Sequence, residues 1–199
     1  MRSGRLYIKF MLVLMLGLFI GNVNSQVVYT PEPDSRLWIE GRSNVNQFEC
    51  RADSYSGDAT IYDEGNVNEQ TEMNLEIEVA GFDCGRDRMN RDFRNALKAS
   101  SFPKIIFRFG EVLNMQPLAD DDNTIRFNVM GYLTVAGVTQ QITFDMLGYF
   151  LSDERIRAVG SKQIKMTDYE VEPPSAMLGL VKAENELTVH FDLLASRDQ

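Results

Sequence analysis

From Gln26 onward the chain alternates apolar and polar residues with a period of two. In the run from Met73 to Val79, Met73, Leu75, Ile77 and Val79 fall on one face, and Asn74, Glu76 and Glu78 on the other. A strand sends successive side chains to opposite faces, so this separation predicts a half-buried strand. The same alternation runs through Ile105-Phe107-Phe109, Ile125-Phe127-Val129, Ile142-Phe144-Met146 and Leu187-Val189-Phe191-Leu193. Weaker versions surround Leu37-Ile39, Val45-Phe48, Ala59-Ile61 and Ile156-Ala158. Together they predict about eight or nine antiparallel strands. Polar breaks at Gly57-Asp58, at Asp120-Asp121-Asp122-Asn123 and at Ser152-Asp153-Glu154 have hairpin spacing, as does the Gly137 region.

One segment changes period. Between Asp87 and Ala99, Met89, Phe93, Ala96 and Leu97 recur at i, i+4, i+7 and i+8, which predicts a short amphipathic helix capped by Asp87 and stopped before Pro103. Strands that are apolar on one face only must bury that face, and a single helix cannot cover them all. The fold class is therefore all-β, with the sheet closing on itself as a barrel or stacking as a sandwich. Its inward set is rich in Phe and Met: Phe48, Met73, Phe107, Phe109, Phe127, Phe144, Met146, Met166 and Phe191, with Val129 among them and Phe93 and Leu97 from the helix. Rigid rings and pliable thioethers build a dense core, and they equally line a pocket for an irregular apolar guest. On patterning alone the dense core is the simpler reading.

The amino terminus stands outside this pattern. A basic start, Met1 to Lys9, precedes eleven residues from Phe10 to Ile20 that form an apolar stretch. That is too short for a membrane-crossing helix, which needs roughly 20 residues. It fits a secretory leader, with Val23 and Ser25 at the small-residue cleavage positions. Residues 1–25 are thus expected to be a removable signal peptide and residues 26–199 a single domain without an integral membrane span. An uncleaved anchor is the alternative. Export to the periplasm or outside the cell gives the only two cysteines a meaning, because an oxidising compartment favours a Cys50–Cys84 disulfide over two buried thiols.

Composition narrows the chemistry. Against 20 Lys+Arg stand 29 Asp+Glu, a net charge of −9; without residues 1–25 it becomes −12. Such a surface repels a polyanion, so a nucleic-acid partner is not expected. The single His190 excludes any site built on two or three imidazoles, and neither a metal nor a cofactor is expected. His190 alternates with Val189 and Phe191, which places it on the outer face, as Trp38 beside Leu37 and Ile39 is placed. Asp120 to Asn123 lacks the spaced ligands and terminal Glu of a calcium loop and reads as a hairpin tip. Of the closest carboxylate pairs, Asp87/Asp92 and Asp168/Glu170, the first contains a helix cap and the rest read as solvated. No enzyme is expected.

Three stretches together resemble the YceI-like family. Arg88 to Phe107 (RMNRDFRNALKASSFPKIIF) resembles its charged helix running into F-P-x-I-x-F. Gly131 to Phe144 (GYLTVAGVTQQITF) resembles its G-x-L-T-x-x-G-V-T hairpin. Lys165 to Pro174 (KMTDYEVEPP), with Gly179 and the Leu187–Leu193 strand, resembles its carboxy-terminal segment. In order and spacing the resemblance spans nearly all of residues 27–195. It implies an exported, lipocalin-like antiparallel barrel of about eight strands with a long apolar tunnel that binds isoprenoid-type lipids. The twelve inward residues named above would then line a ligand rather than fill a core. A polar head would need cations at the rim, for which Lys104, Arg108, Lys162 and Lys165 are the candidates. The helix would plug the barrel or gate entry. Such a protein acts as carrier, sink or sensor. An envelope module with a filled core, binding another protein and no lipid, is the alternative. Two departures stand out: the cysteine pair belongs to one branch of the family, and Tyr169-Glu170 replaces the end of M-T-D-x-G, so the loop at the mouth is expected to differ in shape.

Overall fold

The structure is a computed structural model that describes residues 26–53, 55–62, 71–118, 121–152 and 154–198; the leader expected over residues 1–25 lies outside them. The described strands are β1 (Gln26–Pro31), β2 (Arg36–Ser43), β3 (Gln47–Ala52), β4 (Tyr55–Tyr62), β5 (Glu72–Glu78), β6 (Phe82–Asp83), β7 (Lys104–Leu118), β8 (Asp121–Val135), β9 (Val138–Ser152), β10 (Arg155–Lys165), β11 (Ser175–Ala176) and β12 (Val181–Arg197). One α-helix, α1 (Asp87–Ala96), lies between β6 and β7. No helix among the described residues is long and apolar enough to cross a membrane.

Several of these strands are halves of longer ones. β1 pairs with β4 and β2 with β3, so β1 with β2 and β3 with β4 form the two arms of one long bent hairpin. β5 and β6, separated by a single 3-10 turn at Val79–Gly81, pair with β4 and β3 respectively. The result is an up-and-down meander of eight long antiparallel strands. β12 closes it by pairing with β10 on one side and with β1 and β2 on the other, as in Val189↔Ile39 and Tyr29↔Arg197. Closure leaves no sheet edge along most of the wall. Where the first strand bends, the Ser35 hydroxyl donates to the Leu194 carbonyl and accepts from the Leu194 N–H, both at 2.9 Å, replacing the lost ladder bonds.

Two expected turns and the start of one expected strand differ in the structure. Gly57 and Asp58 do not break the chain but lie inside β4, because a Cβ at Gly57 would come within 2.2 Å of the Asn74 carbonyl oxygen and only glycine permits that approach. Val45 belongs to the turn between β2 and β3 rather than to a strand. The hairpin expected at Asp120 to Asn123 falls partly outside the described residues, and β8 already begins at Asp121. The Gly137 turn is as expected: Ala136 and Gly137 both have positive φ, as a two-residue hairpin whose twist matches its strands requires.

At the helix the cap differs from expectation. Arg86 takes the N-cap position without a side-chain bond and Asp87 is the first helical residue. The entry is organised by Asp83 and Asn90 instead. Asp83 accepts from the Gly85 N–H and the Asn90 amide, while Asn90 Oδ1 accepts from the Cys84 N–H at 2.7 Å. The next residue in this network, Cys84, is disulfide-bonded to Cys50 across the β3–β6 pair, and Cys50 is wholly buried. After the Met166–Tyr169 3-10 turn, Glu170 takes the left-handed conformation (φ 55°, ψ 28°) that glycine favours. The replacement of glycine there is absorbed as backbone strain at one residue.

One stretch of wall is not laddered. β9 and β10 pair from Arg155↔Ser152 to Gly160↔Met146 and no further, although β9 extends back to Val138 and β10 on to Lys165. β10 keeps its pairing with β12 over this length. Over this stretch β9 and β10 share no ladder pairing, which leaves a gap in the hydrogen-bonded wall, a window in the ladder.

Candidate functional site

The inward side chains enclose a cavity of about 630 Å³. At the helix end it is bordered by Phe93 of α1, by Leu97 at the C-cap of α1, and by Met166 and Tyr169; at the far end by Met73, Phe109, Phe127 and Met146. Phe107, Val129, Phe144 and Phe191 border the middle, and Phe48, next to the β2–β3 turn, stands toward the helix end. All twelve inward residues named from the sequence therefore stand on the cavity wall. α1 lies over the helix end, with Phe93 packed on Phe82 at a ring-centroid distance of 4.9 Å. Residues smaller or nearer the helix end, such as Ile77, Val79, Phe82 and Val171, are fully buried. The six rings of Phe48, Phe107, Phe109, Phe127, Phe144 and Phe191 are only partly buried although they point inward, because part of each faces open space.

The open space has a specific origin. Phe107 on β7 meets Phe144 on β9 edge-on at 5.7 Å, and Phe144 meets Phe191 on β12 at 5.6 Å. β8 intervenes in the first contact and β10 in the second. Each ring row can cross its intervening strand because that strand carries glycine: a Cβ at Gly131 would lie 2.5 Å from the Phe107 ring and one at Gly160 2.5 Å from the Phe191 ring. Gly41 does the same beneath Phe48, at 2.3 Å, and Gly148 beneath Phe127, at 2.7 Å. The rings thus lie along the wall, covering glycine backbone, rather than projecting into the axis. Glycines in phase with the inward positions (Leu37-Ile39-Gly41, Val129-Gly131-Leu133, Met146-Gly148, Ala158-Gly160) are the sequence signal that alternation alone passes over.

Of the four cations considered for a polar head, three face away. Lys104 pairs with Glu76 at 2.6 Å and with Glu78 at 3.6 Å, and the hydrogen bond to Glu76 raises its pKa. Arg108 and Lys165 are exposed, and neither borders the cavity. Lys162 does border it, and its ammonium donates to the Thr143 carbonyl at 2.8 Å. The one buried hydroxyl on the wall without a partner among the described residues is that of Tyr169, which burial, and secondarily the Asp168 charge, push up to about 12. It stays neutral in any physiological medium.

The outer face carries the charge. Asp192 accepts a bidentate fork from Arg157 (2.7 and 2.8 Å) and a further bond from Arg36, tying β10, β12 and β2 together. The Arg157 hydrogen bond, opposed by desolvation and aided by Arg36, lowers its carboxyl to about 2. His190 is also outside, stacked on Trp38 at 4.9 Å, with Glu40 3.4 Å from its Nε2. Asp92 pairs with Arg88 along α1 rather than with Asp87.

A family model described as the YceI-like domain matches residues 30–195. Among solved structures, the chain is similar to Burkholderia cenocepacia BcnA, with 21% identity and a TM-score of 0.64 over 81% of this chain and 96% of that one. A polyisoprenoid binding domain from Saccharophagus degradans, implicated in plant cell wall breakdown, gives 17% identity and a TM-score of 0.66, over 85% and 98% of the two chains. The Campylobacter jejuni YCEI protein gives 15% and 0.57, over 75% and 84%. At these identities the likeness is one of fold. Among curated proteins, none matches the chain.

Proposed function

The chain belongs to the YceI-like domain family, and from that premise we propose that it is an exported protein that holds a long apolar ligand of isoprenoid type inside its barrel. The observation that carries this reading is the cavity of about 630 Å³ with its lining of rings and thioethers. Its size falls within the range of small-molecule sites. The likeness of fold to a polyisoprenoid binding domain supports the choice of ligand class. The buried Cys50–Cys84 bridge supports an oxidising compartment, and the leader expected over residues 1–25 supports export.

The mechanism is transfer of hydrocarbon out of water. Each buried methylene is worth about 0.8 kcal/mol, so a tail burying roughly ten such groups gains about 8 kcal/mol before the costs of immobilisation. Edge-on rings present flat carbon along the tail without demanding one shape of it, which suits a branched chain. No bond needs to be made or broken; the protein carries, stores or senses its ligand. The test is a calorimetric titration of solvent-stripped protein with geranylgeraniol. A saturable one-to-one isotherm with a negative heat-capacity change is expected, since apolar surface is buried. Absence of saturable binding would refute the reading.

A further inference from the structure

We propose that the window between β9 and β10 receives the polar end of the ligand, and that this end is an anion, a phosphate or carboxylate, met by Lys162. The inference rests on the lipid-binding reading and specifies what that reading leaves open. The window is bounded on one side by the Gly160↔Met146 pair and on the other by the Gln140 side-chain amide, which donates to the Asp168 carbonyl at 2.7 Å. Between these bounds, among the described residues, β10 is bridged to β9 by the Lys162 ammonium on the Thr143 carbonyl. Lys162 stands opposite Val189 and in phase with Ile156, Ala158, Gly160 and Ile164, so it occupies an inward position in an otherwise carbon-lined row.

Its charge is uncompensated. Among the described residues no carboxylate lies within 4 Å of Lys162. The other cations that border the cavity are accounted for differently. Arg157 is held by Asp192, Arg88 by Asp92, and Arg86 stands exposed at the helix N-terminus. A lone backbone carbonyl uses one of three ammonium donors and supplies no countercharge. An anionic oxygen at the window satisfies both, through a charge-assisted bond roughly twice as strong as one to a neutral acceptor. The net charge of −9 does not oppose this, because charges beyond about 8 Å are largely screened at physiological salt, whereas a lysine at the wall acts at contact.

The test compares three probes on solvent-stripped protein: geranylgeranyl monophosphate, palmitate and geranylgeraniol, each titrated into wild type, Lys162→Met and Lys162→Arg. In wild type the two anions should bind about tenfold or more tighter than the neutral alcohol. Lys162→Met should abolish that advantage, so that neither anion binds tighter than the alcohol to the same variant, and Lys162→Arg should keep it. Tighter binding of the phosphate than of palmitate, or equal binding of the two, supports the site and tells which head it prefers. Anions no tighter than the alcohol, or an advantage that survives Lys162→Met, overturns the proposal while leaving lipid binding intact. No binding of any probe overturns both. Unchanged melting temperatures of the variants confirm that the affinities report the site.

Discussion

Asp192 is nearly buried on the outer face, and two arginines from distant parts of the chain make its burial affordable. Its folded pKa of about 2 lies below the ordinary 3.8, so the carboxylate's contribution is complete above pH 4 and is lost as pH falls towards 2. A shift of that size corresponds to at most about 2 kcal/mol, since both arginines are partly solvated. Asp192→Asn should therefore lower stability near neutrality by about this amount and flatten the acid limb, as followed by urea melts from pH 7 to pH 2.5. An unchanged acid limb would mean that Asp192 is not the group that titrates. None of this was legible in the sequence: alternation put Asp192 outside beside Phe191 and Leu193, but its partners at Arg36 and Arg157 meet it only once β2, β12 and β10 are in register.

At the scale of the strand, alternation told which side chains face in, and the structure puts all twelve inward residues on the cavity wall. It did not tell whether the inward side is full. That depends on how large residues meet small ones on neighbouring strands, which is a matter of register. Gly41 beneath Phe48 is the cleanest case, because the three atoms nearest a Cβ there belong to the Phe48 and Leu187 side chains. Gly41→Ala should swing the Phe48 ring off the wall and into the cavity. The expected result is a folded protein, destabilised by about 1–3 kcal/mol, that binds geranylgeraniol more weakly than wild type. Unaltered affinity would show that the ring can yield without entering the ligand's space. The helix is a similar mixture of success and correction. Its apolar face was visible at Met89, Phe93 and Leu97, whereas its cap was not, since Asn90 and Asp83 organise the entry from within and before the helix rather than from Asp87.

For the molecule as a whole, half-buried strands required a sheet that closes on itself or stacks as a sandwich, and β12 settles it as closure by bridging β10 to β1 and β2. The sequence marks the side window only by polar residues in phase with the inward set, Gln140 in residues 138–145 and Lys162 in residues 161–165, a signal that alternation alone does not interpret. Closure, the edge-on rings and the glycines beneath them combine into one claim: the barrel is hollow so that hydrocarbon can occupy it. Native mass spectrometry of the protein purified without detergent from the cells that produce it tests that claim most directly. A mass above that of the bare chain is expected, an excess removed by organic extraction and recovered in the extract as a lipid with a long apolar tail. Protein found only at its bare mass, with no such lipid in the extract, would contradict it.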